Sequence, residues 1–491
     1  MLRALTLAAL LFAAPLAADT PHLEKRGHAT QLVVDGKPFL ILGGELGNST
    51  VSSREAMKAV WPKLQAMQLN TVLAPAYWEL IEPEEGRFDF ASVDGLLEDA
   101  RAHRMHLVLL WFGTWKNSTS SYAPSWVKRD TRRFRRTTGA DGRAQEIISA
   151  SSAAARDADA RAFAALMRHL REIDGDKHTV LMVQVENEVG FLPFAREGGT
   201  GADPAADERA MASAYAKYVE TVAAAGRREY PLPMYANGAQ GRPGVKPGDY
   251  PSGGPLAHLA KEWRQGAPSL DFIAPDIYFP NFGEIAGGYV KAGQPLFVPE
   301  ANRPPDAHLV ANALHSIGAL DAIGFSPFAI EDADAAQAAR IGALYETLGG
   351  IAPLVLAAQA EGRIAGFANP VSFAGEADLT PMTATLGKAK FSATTIDPWT
   401  ARDAQQPASH GALLIWLGGE DYLLAGQGVT VTVEPTDGKG RLGFERVEEG
   451  RYEDGQWLPG RRLNGDQTHQ GRHVRLPPGE VGVQKFRLYR Y

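Results

Sequence analysis

The stretch LMVQVENEVG, from Leu181 to Gly190, joins a strongly apolar run to a polar end. Its first residues are large, apolar and partly β-branched, which is typical of a strand that is buried on both faces. The run then ends in two carboxylates that flank an amide, Glu186-Asn187-Glu188, shortly before a glycine. A charge at the end of a buried strand needs a partner or a chemical use. The first question is therefore which fold brings this strand end to other polar groups.

Apolar runs of the same kind alternate with helical patterns along most of the chain. Eight of them lie between residues 39 and 332, namely FLILGGE, NTVLAPAYWE, HLVLLWFGTW, TVLMVQVENE, LPMYANG, DFIAPDIYF, PLFVPEANR and IGFSPFAIED. Apolar stripes with helical spacing separate them, such as Phe163, Leu166, Met167 and Leu170. This alternation predicts an α/β fold, a (β/α)8 TIM barrel. A doubly wound sheet would show a glycine-rich nucleotide turn after its first strand, and GGELGNST is not such a turn.

The two ends of the chain differ from this central part. Upstream, QLVVDGKPF predicts a hairpin that turns at Asp35-Gly36. From Arg363 onward, short alternating strands and repeated turn pairs such as Asp437-Gly438 replace the helical patterns, and they predict a β-sandwich-like domain. The expected organisation is a signal peptide over residues 1–18, the barrel over 19–362 and the C-terminal β domain over 363–491.

The N-terminal segment has the three parts of a secretory signal peptide. It carries Arg3, an apolar core from Leu5 to Leu16, and small residues before a predicted cleavage at Asp19. The 491 residues contain no cysteine, which excludes disulfides, thiolate nucleophiles and cysteine-bound metals. We therefore expect an exported bacterial protein, either periplasmic or secreted.

The charge of the chain argues against two classes of partner. The net charge is -7, and there is no basic cluster of the kind that nucleic acid or an anionic membrane surface requires. We expect neither as a partner. The sequence does not indicate an oligomeric state.

Polar residues recur where the predicted barrel strands end. In a TIM barrel the carboxyl ends of the strands surround the active site, so these residues are candidates for it. They are Glu45, Trp78, Glu79, Trp111, Asn187, Glu188, Asn237, Asp276, Tyr278, Glu300 and Asn302. Histidine is missing from all of these strand ends. We therefore expect no Ser-His-Asp arrangement, no metal site and no cofactor.

Carboxylates, amides and aromatic rings together suit chemistry on sugars. A carboxylate can act as acid, base or nucleophile at an anomeric carbon, amides bond hydroxyl groups, and aromatic faces stack on pyranose rings. Glu188 follows strand four and Glu300 lies on strand seven, so the two face each other across the predicted barrel mouth. This geometry selects the pair as catalytic, but it does not assign the two roles.

Three segments resemble a known family. QVENEVG resembles the Asn-Glu acid/base motif of clan A glycoside hydrolases, and in its extended form that of family 35 β-galactosidases. PLFVPEANR resembles the strand-seven nucleophile motif of the clan. WPKLQAMQLNTVLAPAYWELIEPEEGRFDF is similar to the family 35 segment that leads to strand two, and its part from Trp78 to Phe90 is the most specific match. The similarity extends from about Leu40 to Arg303.

The resemblance implies roles for four residues. It makes Glu188 the general acid/base and Glu300 the nucleophile. It implies that Asn187 holds the sugar 2-hydroxyl and that Tyr278 hydrogen-bonds the nucleophile. The implied protein is a retaining exo-β-glycosidase, a β-galactosidase that releases terminal galactose from plant-type oligosaccharides such as xyloglucan side chains. Its expected partner is thus a carbohydrate.

The sequence departs from the family after strand three. Galactose-specific members usually carry a Gly-Pro-Tyr…Glu-Trp segment there, and this chain reads WFGTWKNSTSSYAPSWVKRD. This departure concerns galactose specificity and leaves the catalytic pair unchanged. Two alternatives stay open: a glycan-binding protein without turnover, and an endo-acting hydrolase of clan A.

Glu186 needs a separate interpretation. If the strand alternates regularly, Glu186 points to the same side as Glu188, one layer deeper in the barrel. A charge there needs a partner, and Arg303 is a candidate. We expect a structural role for Glu186.

Overall fold

The computed structural model describes residues 19–139, 141–199, 201–453 and 455–491. The predicted signal peptide, residues 1–18, lies outside the described residues. The first described element is a three-stranded antiparallel sheet of β1 (His22–Arg26), β2 (Ala29–Val34) and β3 (Lys37–Phe39). Its second turn is the predicted hairpin, in which Asp35 and Gly36 both have positive φ.

Eight parallel strands close into a barrel in chain order, which confirms the predicted α/β fold and TIM-like architecture. They are β4 (Ile41–Glu45), β5 (Thr71–Tyr77), β6 (His106–Lys116), β9 (Val180–Asn187), β10 (Met234–Ala239), β11 (Phe272–Ile277), β12 (Val298–Ala301) and β13 (Gly324–Pro327). Two short strands, β7 (Arg136–Thr138) and β8 (Ala144–Ile148), form a hairpin in the long connection after β6. Nearly every residue of the barrel strands is buried, as the continuous apolar runs predict.

Helices surround the barrel. They are α1 (Arg54–Met57), α2 (Trp61–Ala66), α3 (Trp78–Ile81), α4 (Ala91–Ala102), α5 (Ser125–Arg129), α6 (Ala153–Asp174), α7 (Pro204–Glu229), α8 (Ala260–Gly266), α9 (Phe282–Lys291), α10 (Leu309–Ala319) and α11 (Ala335–Glu361). Single turns of 3-10 helix occur at Thr50–Ser52, Ala257–Leu259, Ile330–Asp332, Arg402–Ala404, Pro407–Ser409 and Gly465–Thr468. The predicted stripe of α6 forms its buried face.

The last barrel helix, α11, has well-defined ends. Asp334 and Gln337 form a reciprocal capping box at its start, and Gly362 ends it in the left-handed conformation. In the described part of the chain, α11 is long and apolar enough to cross a membrane, with a mean hydropathy of 1.5 over its best window. Half of that window is buried inside the protein, as is typical of a core helix.

The C-terminal part consists of two antiparallel sheets. The six-stranded sheet is ordered β14 (Ile364–Ala368), β17 (Gly411–Gly418), β18 (Asp421–Gln427), β23 (Gly482–Arg490), β20 (Leu442–Glu453) and β21 (Gln456–Leu463). The four-stranded sheet is ordered β15 (Met382–Leu386), β16 (Ala389–Thr394), β19 (Val429–Pro435) and β22 (Val474–Leu476). The predicted β-sandwich-like character of this part is confirmed.

The six-stranded sheet packs on the barrel with one face and on the second sheet with the other. Along β17, Leu413 and Ile415 join the core of the barrel, whereas Ala412 and Leu414 join the core between the sheets. This is the two-residue alternation of a strand that is covered on both sides. On the barrel side, α10 approaches the sheet closely. A Cβ on Gly318 would lie 2.9 Å from Cβ of Leu413.

Candidate active site

Four carboxyl side chains from four barrel strands meet at the carboxyl end of the barrel. Glu45 ends β4, Glu188 follows β9, Asp276 lies near the end of β11 and Glu300 lies on β12. All four are buried. One oxygen each of Glu188, Asp276 and Glu300 lies within 4.8 Å of the others, and the charge of Glu300 acts on the Glu45 carboxyl. The structure thus brings four of the predicted residues into one carboxyl cluster.

Burial and mutual repulsion hold protons in this cluster. Burial, and then the charge of Glu300, raises the pKa of Glu188 from 4.5 to about 7. The same two causes raise the pKa of Glu45 and of Asp276 well above their ordinary values. Contact with Asp276 acts in the opposite direction on Glu188. Glu188 therefore exchanges its proton near neutral pH, which is what a general acid/base requires.

Lys116 supplies positive charge to the cluster. It ends β6, its side chain is buried, and its Nζ lies 5.2 Å from the centre of the Phe112 ring. Its charge lowers the pKa of Glu45, Glu188 and Asp276. Lys116 is not among the residues predicted from the sequence, although it lies in the segment WFGTWKNSTS at the end of strand three. The available signal was a lysine at the end of a predicted buried strand.

Asn117 is a second residue that the sequence analysis missed. Its Nδ2 donates a hydrogen bond to Oε2 of Glu188, and the backbone N–H of Ser118 donates to the carbonyl of Glu188 at 3.2 Å. Asn117 and Ser118 both have positive φ, so the chain turns sharply after β6. This turn places the amide against the carboxyl that follows β9.

Tyr278 contacts Glu300 as the sequence predicts. Its hydroxyl donates a hydrogen bond to Oε1 of Glu300, and its ring meets the edge of Phe328 with 6.2 Å between the centroids. Tyr278 is 42% exposed, so it lies at the open side of the cluster. A hydrogen bond to a carboxylate stabilises the charged form.

The two predicted asparagines of strands four and five differ in their contacts. Asn237 accepts a hydrogen bond from the backbone N–H of Glu188 at 3.1 Å and donates to Asp276 at 2.7 Å, so it braces the cluster. Asn187 is fully buried, and neither its Oδ1 nor its Nδ2 has a hydrogen-bond partner among the described residues. Oδ1 of Asp276 and Oε2 of Glu300 also lack such partners. These groups are free to bond the hydroxyl groups of a ligand.

The prediction that Trp78 and Trp111 contact a substrate is wrong. Both side chains are fully buried in the packing around the barrel. The indole N–H of Trp78 donates to Glu82 at 2.9 Å, because the chain enters α3 at that residue and directs the ring into the protein. The indole N–H of Trp111 donates to Asp159 of α6 at 2.8 Å. The rings fill space between strands and helices.

The side chains of Glu79 and Asn302 bond to residues outside the carboxyl cluster. Glu79 pairs with Lys128 at 3.1 Å. Asn302 donates to Asp306 at 2.6 Å and accepts from Asn312 at 2.9 Å. Their predicted contact with a substrate is not supported, since the polar atoms of each are bonded to neighbours outside the cluster.

The Glu186 side chain points away from the barrel mouth and is hydrogen-bonded to the backbone of β6. Its carboxyl accepts from the backbone N–H of Trp115 at 2.6 Å and from that of Thr114 at 3.2 Å. It also contacts the carboxyl of Asp159, which accepts from Trp111 and from the Thr114 hydroxyl. These donors favour a charged Asp159. Its charge, together with burial, raises the pKa of Glu186 well above its usual range. The pair thus holds a proton on Glu186.

The predicted alternation of Glu186 and Glu188 and the predicted Arg303 partner are therefore wrong. Both glutamates have positive φ, and alternation holds only in extended backbone. Opposite them β6 is irregular, since Trp111 pairs with Val185 and Lys116 with Asn187. Arg303 instead stacks on the ring of Phe328. The expected structural role of Glu186 fits its contacts.

Gly113 allows the acid pair to form inside this bulge. A Cβ at this position would lie 2.8 Å from Oε1 of Glu186 and 2.9 Å from Oδ1 of Asp159. Any side chain would therefore separate β6 from the pair. The bulge and the pair together place Lys116 and Asn117 beside Glu188.

The trio of Glu188, Asp276 and Glu300 also has the spacing of a cation site. Hard divalent cations prefer carboxylate oxygens, so this is where a metal would bind. Protons and Lys116 offer another way to balance the same charge. The absence of a metal cofactor stays a prediction.

An eight-stranded parallel barrel with facing carboxylates after strand four and on strand seven is the arrangement of clan A glycoside hydrolases. Residues 50–195 match the glycoside hydrolase family 42 model, described as Beta-galactosidase. The matched segment contains Lys116 and Glu188. The expected resemblance to clan A β-galactosidases is confirmed by this match, which names family 42 in place of family 35. Residues 341–475 match a domain of unknown function, DUF5597.

Similarity to individual proteins is partial. The chain is 35% identical to a β-galactosidase of Xanthomonas manihotis over 106 residues, which are 21% of this chain and 18% of that protein. The chain thus matches less than a fifth of the length of this curated relative. Among solved structures, a β-galactosidase of Bacillus circulans sp. alkalophilus has a TM-score of 0.49 at 14% identity, covering 65% of this chain and 57% of the other. The β-amylase catalytic domain of Paenibacillus polymyxa has a TM-score of 0.47 at 10% identity, covering 58% and 91%.

Proposed function

We propose that the protein is a retaining β-glycosidase with Glu300 as nucleophile and Glu188 as general acid/base. One observation carries this proposal: oxygens of the two carboxyls lie within 4.8 Å of each other across the barrel mouth. Retaining enzymes place the two carboxyls roughly 5 Å apart, whereas inverting enzymes leave a wider gap for a water molecule.

The proposed reaction has two displacements. Glu300 attacks the anomeric carbon while Glu188 gives its proton to the leaving oxygen, which breaks the glycosidic bond and forms a glycosyl ester on Glu300. Glu188, now ionised, then takes a proton from water as the water attacks the same carbon, and Glu300 leaves as a carboxylate. The Tyr278 hydroxyl stabilises the charge of Glu300 before attack and after release. Asn187 binds a sugar hydroxyl close to the reacting carbon.

We propose exo action, and the burial of the two carboxyls supports it. Glu188 is 6% exposed and Glu300 is 4% exposed. A chain interior would need an open cleft to reach them, whereas the end of a chain enters a narrow pit. We therefore propose the release of a single terminal sugar.

We further propose a β-galactoside as the substrate, on plant-type oligosaccharides such as xyloglucan side chains. The family match to residues 50–195 supports galactose. Membership of family 35 also stays a proposal, and it is supported by the motif from Trp78 to Phe90.

The test is hydrolysis of a panel of nitrophenyl glycosides by wild type, Glu188→Gln and Glu300→Gln. The panel contains the β-galactoside, β-glucoside, β-xyloside, β-fucoside and α-arabinopyranoside. Glu79→Gln is the matched control, because it alters a strand-end carboxylate that pairs with Lys128 outside the cluster. We expect turnover of the β-galactoside, loss of roughly 10³-fold or more in both active-site variants, and full activity in the control.

Azide separates the two roles. With Glu300→Gly, azide should attack in place of the carboxylate and give an α-glycosyl azide. With Glu188→Ala, azide should release the β-glycosyl azide from the glycosyl enzyme. Binding of oligosaccharide without any turnover would favour the glycan-binding alternative. Cleavage within polymers, with no action on aryl glycosides, would favour the endo-acting alternative.

Export of the protein is a separate proposal that rests on the sequence of residues 1–18. In a bacterial host the full chain should reach the periplasm or medium with Asp19 as its first residue. N-terminal sequencing of the exported protein tests this.

A further inference from the structure

A cavity of about 460 Å³ lies where the barrel meets the C-terminal sheets. The barrel contributes Glu284 of α9 together with Asn312 and His315 of α10. The C-terminal part contributes the connection after β14, including Asn369, Glu376 and Asp378. We name it the seam cavity. The catalytic carboxyls do not line it.

Residues that follow strands six and seven link the wall of the seam cavity to the proposed active site. Pro280 in its wall lies two residues after Tyr278, which bonds Glu300. On strand seven, Asn302 lies two residues after Glu300 and accepts a hydrogen bond from Asn312 of the cavity wall at 2.9 Å. The cavity therefore lies on the side of the barrel where the strands end.

A small hairpin of the C-terminal part forms the outer wall. Val371 pairs with Ala377, and the N–H of Asp378 donates to the carbonyl of Pro370 at 2.8 Å. The tip presents Phe373, which is 39% exposed. Its ring meets the edge of the Phe279 ring, next to Tyr278, with 5.3 Å between the centroids. Phe279 is flanked by Tyr278 and the lining residue Pro280, and Phe373 follows the lining residue Ser372, so this aromatic pair adjoins the cavity wall.

The cavity wall carries hydrogen-bond acceptors and a histidine. Nδ1 of His315 is buried and has no hydrogen-bond partner among the described residues. Glu284, Glu376 and Asp378 add carboxylates to the lining. Acceptors beside an exposed aromatic ring suit a polyhydroxylated ring, whose hydroxyls donate while its apolar face packs on the aromatic side chain.

We propose that the seam cavity is a second carbohydrate-binding site, which holds the part of an oligosaccharide that extends beyond the scissile bond. This inference rests on the proposed glycosidase function. The carboxylates of Glu284, Glu376 and Asp378 would repel acidic sugars, so the ligand is a neutral oligosaccharide. The C-terminal sheets would then select long substrates in addition to bracing the barrel.

The test measures binding and turnover separately. Binding of a galactosylated xyloglucan oligosaccharide is titrated calorimetrically with Glu300→Gln, alone and combined with Phe373→Ala or His315→Ala. Turnover of nitrophenyl β-galactoside, which carries a single sugar, is measured with the single variants. Tyr489→Ala is the control, since Tyr489 is 43% exposed on β23 and does not line the cavity.

We expect Phe373→Ala and His315→Ala each to weaken oligosaccharide binding roughly tenfold, the scale of one lost aromatic or hydrogen-bond contact. Turnover of the aryl glycoside should stay unchanged. Oligosaccharide binding as tight in both variants as in Tyr489→Ala would overturn the seam site. If wild type turned over no aryl glycoside while Phe373→Ala still weakened binding, the proposed catalysis would fail and the binding site would stand.

Discussion

The hydroxyl of Tyr278 donates a hydrogen bond to Oε1 of Glu300 across the ends of two neighbouring barrel strands. This bond stabilises the ionised carboxylate that attacks the sugar. Tyr278→Phe removes the donor and keeps the ring against Phe328. We expect kcat for the aryl galactoside to fall roughly 100-fold, which is the usual effect of losing one preorganised donor. An unchanged kcat would show that Tyr278 does not act on the nucleophile.

The pKa of Glu188 predicts the alkaline limit of activity. The first displacement needs protonated Glu188, and its pKa is about 7. The protonated fraction falls above that pH, so kcat/KM should decline roughly tenfold per pH unit on the alkaline side. Lys116 lowers this pKa, so Lys116→Met should move the alkaline limit to higher pH. Lys128→Met, which alters a lysine paired with Glu79, should leave the limit in place. A pH profile of kcat/KM for wild type, Lys116→Met and Lys128→Met tests this prediction.

The raised pKa of Glu188 also predicts that the protein loses stability as pH rises. Burial raises the pKa of Glu188 from 4.5 to about 7, so the folded protein retains a proton that the unfolded chain releases between these values. The free energy of unfolding therefore falls as pH rises through this window. Glu188→Gln removes the titration and should stabilise the protein by up to about 3 kcal/mol near pH 8, with little effect near pH 4. Denaturant unfolding of wild type and Glu188→Gln at the two pH values measures this.

The carboxyl pair of Glu186 and Asp159 predicts one substitution that the fold tolerates and one that destabilises it. If Glu186 carries the proton, the amide of Glu186→Gln donates to Asp159 in its place and still accepts from the Trp115 N–H. We expect this variant to unfold within about 1 kcal/mol of wild type. Glu186→Ala leaves the backbone N–H of Trp115 and the Asp159 charge without their partner, which should cost about 3 kcal/mol. The two free energies of unfolding, from urea titration, would contradict the assignment if they were equal.

The barrel could be predicted from local hydrophobic patterns in the sequence, because burial determines those patterns. Strands covered on both faces must be continuously apolar, and helices covered on one face must repeat an apolar stripe, so β9 and α6 are visible in the sequence. The boundary between helical and alternating patterns near Arg363 is visible for the same reason. Glu188, Asp276 and Glu300 were found because a parallel barrel collects its strand ends at one side.

The tryptophans and Glu186 show where this reasoning stops. Alternation assumes extended backbone, and the bulge of β6 and the positive φ of Glu186 reverse the direction of side chains within one or two residues. Trp111 lies where this bulge of β6 begins, whereas Trp78 turns into the packing because α3 begins there. Lys116 and Asn117 were missed because their importance comes from Glu188, which lies far away in the sequence and next to them in space.

The sequence by itself determined the α/β barrel, the C-terminal sheets and the residues of the carboxyl cluster, since these depend on local patterns of burial and on the common direction of the strands. Only the tertiary structure decided which carboxyls share protons, which cation balances them and which aromatic rings face the open side. Those properties depend on distances between atoms from different strands, and a pKa or a hydrogen bond changes over a few ångströms that no local pattern records.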